Sequence, residues 1–418
     1  MAYWYALKRL ASLQSALAGC LVLTLLGCQQ KPNDLAVFDE YLNRVEGTFD
    51  LDLQDIGEDR DTLQARLRYL PPRPERRDTL LELPPITIGL LQFADLYGCE
   101  LQVLIGERNS VLGKVMHASR RLDYESRLFH ALYACMASTL DADFSTTEKQ
   151  AFLSGLLELQ QQKKQQLATV IWNSSFGSVE LARYLRVGAG QSDSEFESLL
   201  EGALPDLLSP DYLGLFEQWL EAIARLQSVS QWDMGGISRY VHNSTVPGVI
   251  ESERLFEVSE IRFTPYIRLF QFWEVLPGLG LYFHRAGYYQ ARLNQISALI
   301  EARLDRGVIC PVPGKMPVRV KGLLFNYYGP TVQPYLTKLD QVYRREVSLF
   351  RKLVEQQQIV VPEDWMRYFQ YYFDYEPDSD SEPHQASEMH TKSLWFEFRK
   401  AVDRHQKAWQ QVLDQCRG

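Results

Sequence analysis

The sequence predicts an all-α fold, an elongated multi-helix bundle with long antiparallel hairpins stapled by disulfides. Three observations carry this. Apolar residues recur every three or four positions along most of the chain, the period of one helix face. Helix-start signals stand where those runs begin: Ser145-Thr146-Thr147-Glu148 and Ser192-Asp193-Ser194-Glu195 both have the Ser-x-x-Glu form, in which hydroxyl and carboxylate each satisfy a first-turn backbone N–H. No alternation of strands and helices of the kind that builds a parallel sheet is present.

Residues 1–27 read as a secretory signal. Lys8 and Arg9 form the positive start, and Leu10–Leu26 carries no charge. Two cysteines follow a small residue, in "LAGC" (Cys20) and "LLGC" (Cys28). A cut before Cys20 leaves an apolar core of about nine residues, at the short end of the usual range. It also strands "LVLTLL" in water, where apolar side chains are unfavourable. A cut before Cys28 uses the strongest apolar run and leaves residues 28–33 as a polar tether, "CQQKPN". Cys28 is therefore the expected lipidation residue. An uncleaved signal anchor is the rival, but the uncharged run is at the lower limit for a span. The region resembles a bacterial lipoprotein signal. That resemblance implies acyl chains on Cys28 and, with Gln29 where an inner-membrane retention aspartate would stand, an outer-membrane protein facing the periplasm.

Residues 34–418 are then one periplasmic helical domain. A helix is expected over 34–48. The stretch 69–89, with Pro71, Pro72, Pro74, Pro84 and Pro85, reads as a stiff connector strapped over the surface, with Pro84 and Pro85 at the next helix start. A helix over 86–112 shows two apolar stripes, one through Leu90, Phe93, Tyr97, Leu101, Leu104 and Leu112, the other through Leu96, Cys99 and Val103. A helix apolar on two sides is buried on both, which places it centrally. Further helices are expected from Ser119, over 145–172, and over 210–229, 264–275, 281–305, 331–357, 363–374 and 389–415. Pro330 and Pro334 suit the first turn of one of these and Pro362 opens another. Residues 230–262 are read as irregular, with a short strand at 256–263, and 376–388 as an exposed acidic loop.

The 418 residues carry a formal charge of −9, which becomes −11 once Lys8 and Arg9 leave with the signal. An acidic chain without a basic patch is a poor nucleic-acid binder. Four cysteines remain beyond the tether, an even set for an oxidising compartment. The midpoint of Cys99 and Cys135 falls at residue 117, where one helix is expected to end and the next to start. In an antiparallel hairpin both cysteines stand about 27 Å from the turn and so sit level. Cys99–Cys135 is expected, and by elimination Cys310–Cys416.

The segments "LIGERNSVLGKVM", "NYYGPTVQPYL" and "FRKAVDRHQKAWQQVLDQC" resemble a family of uncharacterised gammaproteobacterial lipoproteins, a domain of unknown function. The resemblance spans most of the mature chain and is weakest at "SQWDMGGISRYVHN". It implies an all-helical body and a lipoprotein location, and brings no catalytic residues with it.

Among polar groups, Glu107, Arg108 and Asn109 are the candidate ligand cluster, because Arg108 falls on an apolar stripe and a buried arginine must be paired; the plainer reading is a helix end. Asp378, Asp380, Glu382, His384, Glu388 and His390 lack calcium-loop spacing. The aromatic run "RYFQYYFDYE" reads as core more readily than as a binding groove. No serine elbow, phosphate loop, dinucleotide fingerprint or zinc spacing is present, so no catalytic residue, metal or cofactor is assigned. The function expected is binding or scaffolding at the outer membrane, with the membrane and an envelope protein as partners and no nucleic acid. The alternatives are an envelope glycan hydrolase using paired carboxylates, for which a deep cleft would speak, and a carrier of an apolar ligand, for which a closed apolar cavity would speak.

Overall fold

The computed structural model describes residues 34–59, 70–141, 145–187, 204–243, 259–275, 278–312, 314–374 and 393–417, and among these no strand occurs. Cys28, Ser192–Glu195 and the acidic loop at 376–388 lie outside the described residues.

Twelve elements organise the chain. The first is α1, Asp34–Phe49. Its buried residues Val37, Phe38, Tyr41, Leu42 and Val45 fall at helical spacing and face the core. The proline-rich strap follows. It lies over the surface as expected and is pinned there. Thr79, in a short helical turn, is fully buried and accepts from Trp172 Nε1 through its carbonyl (2.7 Å) and from Trp365 Nε1 through its hydroxyl (2.9 Å). Leu81 exchanges two hydrogen bonds with the Asn173 side chain.

The expected helix over 86–112 is not continuous, and it does not start at Pro84. It comprises Leu90–Asp95, then α2, Glu100–Asn109, then the turn Val111–Lys114. Gly98, at φ 93°, breaks it. Beyond that break the periodic count continues across two different axes, so each of the two stripes is only partly buried. Tyr97, Val103 and Leu112 are exposed while Leu96, Leu101 and Leu104 are buried. This arm packs at the periphery.

Next come α3, Ala118–Asp141, and α4, Thr146–Ser174, which pack as a long antiparallel hairpin. The Ser145–Glu148 capping box opens α4 as expected. Then follow α5, Val179–Tyr184, and α6, Pro210–Ser230, with Pro at its first turn. The segment read as irregular contains a helix, α7, Gly235–Asn243. Asp233 caps it by accepting from the Gly235 N–H (2.7 Å), so the two glycines stand at a helix start instead of a loop. The strand expected at 256–263 is absent from its described part, residues 259–263, where Phe263 already has helical backbone angles before the short helical turn Thr264–Tyr266.

The rest is α8, Ile267–Val275; α9, Gly278–Asp305; α10, α11 and α12. α9 is buried along most of its length. Gly278 and Gly280 let its start press against the Tyr184 ring and the Arg186 carbonyl, where a β-carbon would collide. α10 is a continuous helix from Val318 to Glu355 with two π-helical stretches, Gly322–Val332 and Tyr343–Val347. Pro330 lies inside the first stretch and not at a helix start; the widened turns accommodate its ring and its missing N–H. Pro334 is likewise inside the continuous helix, just after the π-helical stretch, and not at a helix start. α11 is Glu363–Phe373 and α12 is Leu394–Arg417. The aromatic run in α11 is core: Trp365, Tyr368, Phe369, Tyr372 and Phe373 are buried, and Trp365 and Phe369 pack on Trp172 and Phe176 of α4 and its C-terminal turn.

One core cluster runs from Val37 to Cys416. α12 and α1 pack along α9, while α2, α6 and α7 pack on the α3–α4 hairpin. Two disulfides close the chain. Cys99–Cys135 ties the start of α2 to α3 (Cα–Cα 5.5 Å), and Cys310–Cys416 ties the loop after α9 to the end of α12 (Cα–Cα 5.1 Å).

Loop-closure entropy orders the two bridges. Their sequence separations are 36 and 106, worth about 4 and about 5 kcal/mol respectively. In urea unfolding, Cys310→Ser with Cys416→Ser is expected to lower stability more than Cys99→Ser with Cys135→Ser; the reverse order would show that native packing, not chain entropy, sets their worth. Asp34→Ala, which strands the buried Arg285, is expected to cost about 3–5 kcal/mol in the same assay.

Candidate functional site

Glu107, Arg108 and Asn109 do not converge. Successive residues on a helix point about 100° apart, and these three follow that geometry. Glu107 turns to Arg127 (3.5 Å), and Asn109 is exposed. Arg108 is half-buried and donates from Nη1 to the Gly113 carbonyl, closing the turn that follows α2. Burial pushes its guanidinium pKa down, and nearby Arg121 pushes the same way. The three residues form a helix end.

The buried polar groups lie elsewhere, and spacing along the sequence does not reveal them. Glu125 of α3 is buried and accepts from Arg121 Nη2 (2.9 Å) and from Lys163 Nζ of α4 (3.2 Å). Both cations also stand 5.6 Å from the centre of the Tyr124 ring. This cluster locks the α3–α4 hairpin.

Glu346, in the second π stretch of α10, is fully buried. Its Oε1 accepts from Tyr212 OH of α6 (2.7 Å) and from Tyr184 OH of α5. Trp273 Nε1 of α8 donates to Tyr212 OH (3.2 Å). Oε2 has no hydrogen-bond partner among the described residues. Burial pushes the carboxyl pKa up to about 8, and the two phenol donors offset only part of this. At neutral pH the group is therefore largely a neutral acid joining four helices.

A third cluster centres on His405 of α12. Its ring nitrogens face Tyr41 OH (3.0 Å) and Ser297 Oγ (3.3 Å), and Trp409 Nε1 donates to Tyr41 OH (2.8 Å). Burial pushes the imidazole down to about 3, so it is neutral. A serine beside a histidine has the composition of a nucleophile and its base. Here both are sealed in the core, and the Ser297 hydroxyl donates to the Leu293 carbonyl (2.6 Å). The contact is structural.

Two hollows bear on the alternative functions. An open groove of about 630 Å³ runs between α9 and α12, lined by Asn294, Glu301, Glu397, Lys400, Arg404 and Lys407 among others. Arg404 holds Glu301 with two bonds (3.0 and 2.5 Å), and Lys407 holds Asp403 (2.6 Å). Beside these two ion pairs, Glu58, Glu397 and Lys400 also line it. An apolar cavity among Tyr282, Phe283, Leu339, Tyr343, Tyr372 and Trp395 has only about 20 Å³, roughly room for one water, far below what a carried apolar ligand needs. Among the described residues no group of three or more His, Cys, Asp or Glu is placed to hold a metal ion, and no helix is long and apolar enough to cross a membrane.

The surface differs from the interior. Between residues 97 and 115, on the arm bonded by Cys99–Cys135, five large apolar side chains are exposed: Tyr97, Val103, Val111, Leu112 and Val115. Single exposed apolar residues are ordinary; several in one short arm are not.

Fold and surface together define an all-α, disulfide-bonded protein whose strongest polar clusters are internal. The chain belongs to a family described as a protein of unknown function (DUF3080), whose model matches residues 38–211 and 266–417. The part left unmatched contains α7 and "SQWDMGGISRYVHN". No curated protein and no solved structure matches the chain.

The buried acid and base predict a pH profile. Glu346, with its pKa raised to about 8, favours the folded state below the unfolded value of 4.5, and that contribution is lost as pH rises toward 8. His405, lowered to about 3, favours it above 6.5, and that contribution is lost as pH falls. These two groups place the stability maximum between about pH 4.5 and 6.5. Glu346→Gln keeps an acceptor for both phenols and removes the alkaline limb, which costs wild type up to about 1.4 kcal/mol per pH unit. Thermal unfolding of both proteins from pH 5 to 8 checks this; parallel profiles would refute it.

Proposed function

We propose that the protein is a lipid-anchored envelope protein, held at the periplasmic face of the outer membrane through Cys28, and that it acts by binding or scaffolding a protein partner there. The exposed apolar arm at residues 97–115 carries this reading. Burying such side chains against a partner is worth about 25 cal/mol per Å², and the Cys99–Cys135 bond holds the arm in place without one. Two further features support it. The uncharged N-terminal run ends in Leu25-Leu26-Gly27 directly before Cys28, and two bonded cysteine pairs suit an oxidising compartment. The interior clusters tie helices together and are closed to a substrate, which favours binding over chemistry.

A photo-crosslinking residue at Leu112 is expected to give a discrete adduct in intact cells, and one at exposed Lys352 on α10 is not; the same adducts at both sites, or none, would remove the partner. Globomycin is expected to cause precursor to accumulate and Cys28→Ala to release the protein from the outer-membrane fraction. Normal processing in its presence would refute the anchor.

A further inference from the structure

A second exposed segment has a different chemistry. From Arg306 to Leu339 the chain contains Arg306, Lys315, Arg319, Lys321 and Lys338 and no Asp or Glu, within a protein of net charge −9. The structure shows where these cations stand. In the first turns of α10, Val320, Leu323 and Leu324 point into the core, and Val318, Arg319, Lys321 and Phe325 share the outer side. Val318 is 87% and Phe325 55% exposed. In the loop before α10, Val308 and Val312 are also exposed beside Lys315. Lys315, Arg319 and Lys321 make no ion pair with a described residue, and Arg306 meets Asp55 only at 3.9 Å on the surface.

The segment is held still. Cys310 is bonded to Cys416, the Gly314 N–H donates to the Cys416 carbonyl (2.9 Å), and the Ile309 N–H donates to Gln415 Oε1 (3.1 Å). On the other side α10 packs against α1, with Arg44 over the Tyr327 ring at 4.3 Å and Tyr327 OH bonded to the Val37 carbonyl (3.2 Å). Apolar side chains projecting between Lys315, Arg319 and Lys321, which have no ion pair among the described residues, on a rigid base, match a surface of anionic headgroups over hydrocarbon: the valines and phenylalanine enter the acyl boundary, and the lysines and arginines reach the phosphates. A protein surface would have to supply carboxylates at matching spacing. A bilayer supplies negative charge everywhere.

We propose that residues 306–325 form a docking face for an anionic lipid bilayer, which holds the domain against the membrane independently of any acyl chain. The proposal extends the membrane location put forward above, and its test needs no lipidation. The chain from residue 28 onward retains the whole core, Val37 to Cys416; with Cys28→Ser it cannot be acylated. This protein is expected to co-sediment with vesicles of phosphatidylcholine containing phosphatidylglycerol, to bind pure phosphatidylcholine far less, and to be released by salt. Arg319→Gln with Lys321→Gln is expected to weaken binding about thirty-fold. Lys352→Gln with Arg399→Gln, the same charge change at exposed sites elsewhere, is expected to leave it unchanged. Circular dichroism and thermal unfolding show whether each variant is folded. Equal binding to both vesicle types, no binding to either, or equal losses from the two double variants would overturn the proposal. Any of these would leave the globomycin result, and hence the anchor, standing.

Discussion

The Arg285 guanidinium has no exposure to solvent, and the seating of the helices around α9 follows from that. An arginine so placed must be paired, because an isolated buried charge is far more costly than the pair is favourable. Its partner is Asp34, the first residue of α1, which accepts from Arg285 Nε (2.5 Å) and Nη2 (3.0 Å) and from Tyr289 OH (2.5 Å). The carboxylate also stands at a helix N-terminus, where the helix dipole favours negative charge. Two turns on, Arg292 holds Asp39 at 2.7 Å, and further along Ser297 meets His405 of α12. Polar groups spaced along α9 thus each choose a partner on a neighbouring helix. Sliding α1 by one residue would break the first two contacts together. Apolar packing alone, such as Phe38 stacked on Tyr289 at 4.0 Å, tolerates such shifts better. The polar contacts therefore set the register that the apolar contacts then fill.

Glu346 plays the same part by a different route. Among the described residues no cation is bonded to it, so the carboxyl is kept mostly neutral, and Tyr184, Tyr212 and Trp273 connect it to α5, α6 and α8. A neutral acid hydrogen-bonded to phenols avoids the desolvation cost of a buried charge. It sits in a π-helical stretch, and such widened turns are less regular than an α-helix. The site is thus a junction of four elements drawn from residues 184 to 346.

The parts legible in the sequence are those governed by local rules. Apolar periodicity placed α4, α6, α8, α9, α11 and α12, the Ser145–Glu148 box marked a true start, and the level spacing of Cys99 and Cys135 about residue 117 matched a hairpin even though its first arm is broken. Local rules also misled. Tyr97 and Leu112 of one expected stripe and Val103 of the other are exposed, because periodicity says that a face is apolar and not what covers it. Gly98 was the available sign of the break. Asp233 before Gly235-Gly236 signalled the cap of α7, yet two glycines outweighed it. The interior clusters were not legible at all. Tyr184, Tyr212 and Glu346, or Tyr41, Ser297 and His405, are hundreds of residues apart at their extremes, and only tertiary packing brings them together.

Each disulfide lies beside an exposed apolar segment: Cys99 beside Tyr97 and Val103, Cys310 beside Val308 and Val312. A segment whose apolar side chains face water gains little from folding onto its own domain and tends to open locally. A covalent bond counters this by restricting the opened state. Had these bonds served stability alone, segments already fixed by deep burial, such as α9, would have gained as much. Their positions make sense if the two segments must keep apolar surface outside the core and still hold one shape. That requirement belongs to surfaces that meet something else, and the two differ in charge in a way that separates what they meet. The arm at 97–115 mixes Glu100 and Glu107 with Arg108 and Lys114, as a protein contact does, whereas 306–325 carries one sign only. A single domain with one face of each kind can sit against a membrane and still leave its arm free to engage a partner.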